Sequence, residues 1–453
     1  MSKTLMVNNL TEGNAAKLLL KFAFPLFVSN TLQAVYNIVD MIVVGQYIGG
    51  AGMSAVSIGG DVLHLLTFVA MGFSSAGQVI IAQCVGAGQM ERMKRTIGTM
   101  FTFLLSISVV ISVVCYMLRF SILGWLNTPS ESYAYTMDYT VTCIAGLIFI
   151  YGYNIVSAIL RGMGDSKRPF MFIAIAAVLN MVLDVIFVAV FKLEVFGAAL
   201  ATVMGQGVSF VFSIIYLYKN RDSFCFDFAR SSFKPDRDCL KKLTTLGIPM
   251  AIQSAAVSFS KIVLLSWVNA FGVVDSALSG IYNKVGTVAG IVSASFTTAG
   301  SSMVGQNLGA GKYKRIPEIL KTILITCGTI YTLLSLAMLL FSGGIFHMFT
   351  SDSAVLTVAF VLVWPIIVNF YGCATRSVAF ALINGSGKTK LNLAVALIDG
   401  LISRIGIAAL LGFALKLGCQ GFWFGDAIAG FIPIAIGVCF YVSGNWKKGQ
   451  EVS

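Results

Sequence analysis

Apolar stretches of roughly 20–30 residues, separated by short polar turns, run the length of the chain. Twelve can be drawn, at 17–45, 53–83, 96–120, 134–160, 169–190, 197–219, 243–270, 276–306, 316–341, 354–383, 391–412 and 418–443. About 20 residues of α-helix cross the hydrocarbon core of a bilayer. Several runs are longer, so tilt or extension beyond the membrane is expected. The pattern predicts an all-α integral membrane protein with 12 transmembrane helices. Ahead of the first, VNNLTE at 7–12 predicts a short amphipathic helix on the inner face, capped by Thr11.

The runs repeat. QCVGAG at 83–88 returns as QNLGAG at 306–311, and RGMGDSK at 161–167 as NGSGKTK at 384–390, both at an offset of 223. Lys192-Leu193 returns as Lys416-Leu417, and Pro25 as Pro249, at 224. Each half holds six spans, an even number, so the second half starts on the same side as the first. Two six-helix lobes related by a pseudo-two-fold axis along the membrane normal follow, an arrangement that places a substrate site between the halves. The lobes are 1–219 and 243–453. The polar segment NRDSFCFDFARSSFKPDRDCLKK at 220–242 links them.

Composition sharpens the solvent assignment. Of 453 residues, 57% are hydrophobic and 11% charged, where a soluble chain carries about 25% charged. Mean hydropathy is +0.87. The net charge of +12 would suit a nucleic-acid partner were it spread evenly. Its positions exclude that. With the N-terminus inside, 24 of the 31 Lys and Arg fall on the cytoplasmic side, from Lys3, Lys17 and Lys21 through the linker to Lys447 and Lys448. Only Arg119, Lys192 and Lys416 fall outside. This is the positive-inside signal, and it places a multi-pass protein in the cell membrane with both termini cytoplasmic. The N-terminal residues lack a signal-peptide pattern. The nine Cys are scattered without a CxxC, as packing residues are.

The polar residues at membrane depth carry the chemistry. A carboxylate there costs about 2.5–3.5 kcal/mol on insertion scales, so it is a functional hypothesis by default. Asp40 sits in the first span, in YNIVDMIVVGQ. Asn180 and Asp184 sit in the fifth, and their i, i+4 spacing puts both on one helix face. Asn154 in the fourth span and Thr202 in the sixth add an amide and a hydroxyl. All are oxygen donors, suited to Na⁺ at Asp40, Asn180 and Asp184, or to a proton taken up by one carboxylate. Pro25 lies 15 residues before Asp40, and a proline inside a helix removes a backbone hydrogen bond and kinks it. It is a static kink or a hinge. At the offset of 223, Asp40 falls on Val263, Asn180 on Ser403 and Asp184 on Ile407, so this carboxylate cluster is expected once. The second lobe carries Lys261, Lys284, Arg376, Asp399, Arg404 and Asp426 instead. Asp61 and Lys284 occupy equivalent positions and are a possible inter-lobe pair.

These features together resemble the multidrug and toxic compound extrusion (MATE) family. The resemblance spans the whole chain. It rests on twelve spans in two similar halves, the GAG turns at Gly86-Ala87-Gly88 and Gly309-Ala310-Gly311, RGMGD after the fourth span, and the placing of Asp40, Asn180 and Asp184. The chain is most similar to the prokaryotic DinF-like branch. The resemblance implies a coupling site at Asp40, Asn180, Asp184, Asn154 and Thr202, with Pro25 bending as the site fills. It departs from the NorM-like branch, which has acids in helices seven and ten where this chain has Lys261 and Arg376. What is implied is a monomeric antiporter, coupled to H⁺ or Na⁺ and needing no other cofactor, that exports small amphipathic cationic drugs or toxic metabolites by rocker-switch alternating access among membrane lipids. Tyr36, Met41, Tyr139 and Tyr151 are the residues expected in the substrate cleft. The alternative is a lipid-linked precursor or polysaccharide flippase of the wider superfamily. Its usual extra spans are missing here, while the four membrane cations of the second lobe favour it. An enzyme is not expected: His64 and His347 lie in different halves, and no HExxH or GxSxG occurs.

Overall fold

A computed structural model describes residues 8–222 and 224–447. Val7, Lys3 and Lys448 lie outside them. The described residues form helices joined by turns, with no strand among them. The first half contains α1 (Ala15–Ile48), α2 (Gly50–Gly86), α3 (Met90–Met117), the short α4 (Arg119–Trp125), α5 (Tyr133–Ala145), α6 (Leu147–Gly162), α7 (Lys167–Asp184) and α8 (Glu194–Lys219). The second contains α9 (Arg237–Asn269), α10 (Val273–Gly309), α11 (Ile316–His347), α12 (Ser353–Val358), α13 (Val363–Ser386), α14 (Thr389–Leu397), α15 (Arg404–Ala409), α16 (Gly418–Ala429) and α17 (Ile432–Val442).

Ten of the resulting helical spans are long and apolar enough to cross a membrane, and α5 with α6, bent by 47°, makes an eleventh. The twelfth is α10. It has the length, 37 residues, but it buries Ser279, Ser293, Ser295, Ser301, Ser302, Gln306 and Asn307, which dilute its apolarity. Two more spans are not simple α-helix. α7 continues as a π-helix over Val185–Val190, and α14 runs through a π-helix at Ile398–Ser403 into α15.

The internal repeat extends to the backbone. Left-handed residues recur in pairs at offsets of 223 or 224: Gly49 and Gly272 before α2 and α10, Gly88 and Gly311 in the GAG turns (φ 69° in both), Gly164 and Gly387 closing α6 and α13, and Lys192 and Lys416. Glycine takes this conformation at little cost and ends helices with it. That requirement is why the Gly-rich turns were the readable part of the repeat.

Close packing divides the chain into two compact units. One comprises the described residues of Met1–Asn9 with Phe24–Ala251, the other Leu10–Ala23 with Ile252–Ser453. The boundary thus falls inside α1 and α9, two residues before Pro25 and three after Pro249.

In the first unit, α2, α3 and α6 share a core that takes in Phe224, Phe226, Leu243, Leu246 and Met250. The segment read as a polar linker is therefore packed into this unit by its phenylalanines. Gly98 on α3 lets the linker approach: a Cβ there would meet the Ser232 carbonyl oxygen. Lys94 Nζ pairs with Asp227 at 2.7 Å. This bond, with those from Ser232 and the Ala229 N–H, holds the Asp227 carboxyl well below the usual carboxylate range. Asp236 caps α9, accepting from the Asp238 and Cys239 N–H groups at 3.1 and 2.9 Å.

In the second unit, the segment before α1 is docked rather than helical. Leu10 N–H donates to Gln306 Oε1 at 3.0 Å, and Asn307 Nδ2 donates back to the Leu10 carbonyl at 3.1 Å. The Thr11 hydroxyl accepts from Lys312 Nζ at 3.0 Å. Asn14 is the residue that caps α1, accepting from the Lys17 N–H at 3.0 Å. A buried amide and a lysine on the GAG turn therefore supply this segment's partners, in place of a helical ladder. All nine cysteines are free, six of them buried.

Candidate cation site

Within the first unit, α1, α7 and α8 bring four of the expected residues together. Asp40, Asn180, Asp184 and Thr202 are all buried, and Asp184 is 0% exposed. Asn180 and Asp184 share a face of α7, and Asp184 is the last residue before the helix widens into its π turn. Such turns accompany functional sites because they re-aim side chains. Gly205 on α8 lets that helix lie against α7: a Cβ would meet the Ala176 carbonyl oxygen at 3.1 Å and Asn180 Cβ at 3.3 Å.

The Asn180 amide satisfies both of its neighbours when its nitrogen donates to Asp40 Oδ1 at 3.0 Å and its oxygen accepts from the Thr202 N–H at 3.3 Å. The Asp184 carboxyl lies in hydrogen-bonding contact with that of Asp40. Two ionised carboxylates offer each other only acceptors, so this contact calls for a shared proton or a cation. Asp184 Oδ1 has no hydrogen-bond partner among the described residues. Around the site Val39, Val43, Val188, Ala198 and Ala199 form an apolar shell, which strengthens every interaction inside it.

The other expected residues are placed as follows. Asn154 is half-buried on α6 and donates to the Ile150 carbonyl at 2.8 Å, within its own helix. Tyr139, expected in a cleft, is buried within the apolar shell beside the carboxylates; a Cβ at Gly59 would occupy the place of its ring. Tyr36 and Met41 are half-buried on α1. Tyr151 does not line a cleft. It is fully buried in the core of α2, α3 and α6, and its hydroxyl donates to the Leu66 carbonyl at 2.9 Å. A buried phenol needs such a partner, and the α2 backbone supplies it. Pro25 lies in the unbroken α1, where Ser29 donates to its carbonyl at 2.8 Å. Asp61 on α2 and Lys284 on α10 are exposed, one in each unit.

One residue at the site escaped the sequence. Gln206 lies beside Tyr36. Its signal was the i, i+4 spacing from Thr202 on α8. The second unit also holds more than expected. Asp399 and Asp426, read as separate charges, are joined through Arg404. So a second buried carboxylate pair exists, neutralised by arginine where the first is not.

This architecture, helical spans in two repeats with carboxylates at membrane depth, defines a polytopic transporter. Residues 25–186 and 249–429 match the MatE family, each stretch opening on a helix proline. The chain belongs to the MatE family and is a membrane transporter, not an enzyme. It is 28% identical to the probable multidrug resistance protein YoeA of Bacillus subtilis (strain 168), over 95% of this chain and 94% of that protein. It is 28% identical to the probable multidrug resistance protein YpnP of the same strain, over 96% and 97%. Its fold matches the outward-facing conformation of a multidrug resistance MATE family transporter of the MOP superfamily, with TM-score 0.91 and 22% identity over 99% of this chain and 100% of that one. That structure has twelve transmembrane helices in two lobes.

Proposed function

We propose that the chain is a cation-coupled antiporter that exports small amphipathic, cationic drugs or toxic metabolites by alternating access between its lobes, 1–219 and 243–453. Its relatives' names, multidrug resistance proteins, support drugs as substrates. The coupling site is Asp40, Asn180, Asp184 and Thr202. The observation that carries this reading is the buried contact between the Asp40 and Asp184 carboxyls, with Asp184 Oδ1 left without a donor. A proton satisfies that geometry directly. Na⁺ satisfies it once the Asn180 amide turns its oxygen inward. Filling the site drives export only through differential affinity: the cation binds one conformational state more tightly, and its return down the gradient resets the cycle. Pro25 is the hinge in α1 that lets the site and the helix start move separately. The protein works as a monomer in the cell membrane, with both termini cytoplasmic.

The test uses purified protein in liposomes, with a pH gradient and a Na⁺ gradient imposed separately and efflux of a cationic dye followed. One gradient drives efflux in the wild type, which names the ion, and Asp40→Asn abolishes it. Efflux that neither gradient drives overturns the antiporter. Wild-type efflux by Asp40→Asn removes the coupling role from this site.

A further inference from the structure

The second unit buries charges that the coupling site does not use. Arg376 on α13, Asp399 in the π turn after α14, Arg404 opening α15 and Asp426 on α16 form a chain of ion pairs. Arg376 Nη2 lies 2.7 Å from Asp399 Oδ2, Arg404 Nη2 lies 3.7 Å from Asp399 Oδ1, and Arg404 Nη1 donates to Asp426 Oδ1. The Tyr282 hydroxyl donates to the other Asp426 oxygen at 2.9 Å. Lys261 on α9 is near enough to act electrostatically on Asp426.

Three cations therefore face two carboxylates. The excess positive charge sits at membrane depth, where an uncompensated ion is strongly disfavoured. Asp426 is held by Arg404 and Tyr282, and Asp399 is ion-paired with the two guanidinium groups although neither of its oxygens has a hydrogen-bond donor among the described residues. Donors remain. Arg404 Nε has no acceptor among the described residues. The Arg376 side chain is 19% exposed while those of its partners are 0–6% exposed, so it is the accessible end of the chain. By charge, three cations against two carboxylates, the cluster is one anion short. The planar guanidinium fork is suited to take one bidentately, from a carboxylate or a phosphate.

We propose that Arg376, with Lys261 beside the same cluster, binds the anionic group of an amphipathic ligand inside the second unit. Arg376 stands ten residues from the end of α13 at Ser386, about 15 Å at the α-helical rise. That depth favours a carried amphiphile over a headgroup at the interface. The site would extend the substrate range to zwitterions and anions. It adds a ligand class to the transport reading without depending on coupling at Asp40.

The test titrates the full-length protein, in phosphatidylcholine nanodiscs, with dansylglycine, a fluorescent carboxylate. A parallel titration uses dansylcadaverine, the same fluorophore on an ammonium. Expected is saturable dansylglycine binding that weakens at least tenfold in Arg376→Gln and less in Arg376→Lys, while dansylcadaverine binding is unmoved in both. Lys261→Gln, at a half-buried residue outside the ion-paired chain, weakens dansylglycine several-fold and keeps the proposal testable should Arg376→Gln misfold. Phosphatidylglycerol in the discs separates the sources of the anion. Displacement of dansylglycine from wild type assigns the site to lipid phosphate and overturns the carried-amphiphile proposal; no displacement supports it. A wild type that binds dansylcadaverine but not dansylglycine overturns the anion site and leaves the antiporter reading intact. Equal weakening of both probes in Arg376→Gln and Lys261→Gln makes the cluster a structural ion-pair chain and overturns the proposal as well. Intact dansylglycine binding beside absent gradient-driven efflux strikes the coupling reading alone.

Discussion

Asp184 is the residue whose surroundings ask most of it, fully buried, against a second carboxyl, and with one oxygen unsatisfied. Asp184→Asn keeps the volume and removes the capacity to take up a cation, so it is expected to abolish gradient-driven efflux as Asp40→Asn does. Asn180 acts through Asp40. A hydrogen bond to a charged group contributes about 1.5–3 kcal/mol, so Asn180→Leu is expected to raise the half-saturating concentration of the coupling ion about 10–100-fold; an unchanged value would separate Asn180 from the site. Tyr151→Phe checks the opposite kind of residue. Losing its bond to the Leu66 carbonyl is expected to cost about 1 kcal/mol in thermal unfolding, with dye selectivity unchanged. The difference between these residues marks what was readable. Asp40, Asn180 and Asp184 stood out because membrane depth makes each of them costly. Tyr139 and Tyr151 did not separate, since a tyrosine's apolar ring fits a core as well as a cleft, and only the partner of its hydroxyl decides between them. Asn154 stood out for the same reason as Asn180, yet its amide nitrogen is used one turn back on α6.

Helices with even 3.6-residue periodicity were easy to place, and irregular ones were not. Asp399 and Arg404 are five residues apart, which an α-helix puts on different faces. The π turn, with its i→i+5 bonds, brings them together, so the second buried cluster could not be drawn from α spacing. The packing of the 220–242 segment was hidden for a related reason: its charges read as polar loop, while Phe224, Phe226, Phe228 and Phe233 pack inward. Gly98→Ala tests that docking. A methyl group aimed at the Ser232 carbonyl oxygen displaces the backbone, and overpacking of this kind costs about 1–3 kcal/mol. A lowered melting temperature and faster tryptic cleavage at Arg230 and Arg237 are expected; unchanged cleavage would mean the segment is held elsewhere. The Lys94–Asp227 pair adds a pH signature. The Asp227 carboxyl is held below its ordinary value, so its contribution is complete above the unfolded value of about 3.9 and is lost as pH falls below it. Hydrogen exchange in the linker, corrected for intrinsic rates, is therefore expected to accelerate below about pH 4, and Asp227→Asn to remove that step.

At the scale of the whole molecule, one duplicated backbone carries two different electrostatic solutions. The paired left-handed turns show how closely the halves follow each other in conformation. The buried charges show how far they have parted: among the described residues Asp40 and Asp184 meet with no basic partner, and Asp399 and Asp426 are held by arginines. The proposed gradient-driven efflux requires a defined orientation, because the same site in an inverted protein would run the cycle towards uptake. The charge distribution of the turns predicts that orientation. Basic residues crowd the turns at 92–95, 161–168, 219–242, 312–321 and 388–390, and those near 192 and 416 hold one lysine each. Alkaline phosphatase, which folds only outside the cytoplasm, is expected to be active when fused after Lys192 or Lys416 and inactive when fused after Lys94 or Lys314. The reverse pattern would invert the molecule, and the acidic site of the first unit would then have to be argued again as the coupling site of an importer.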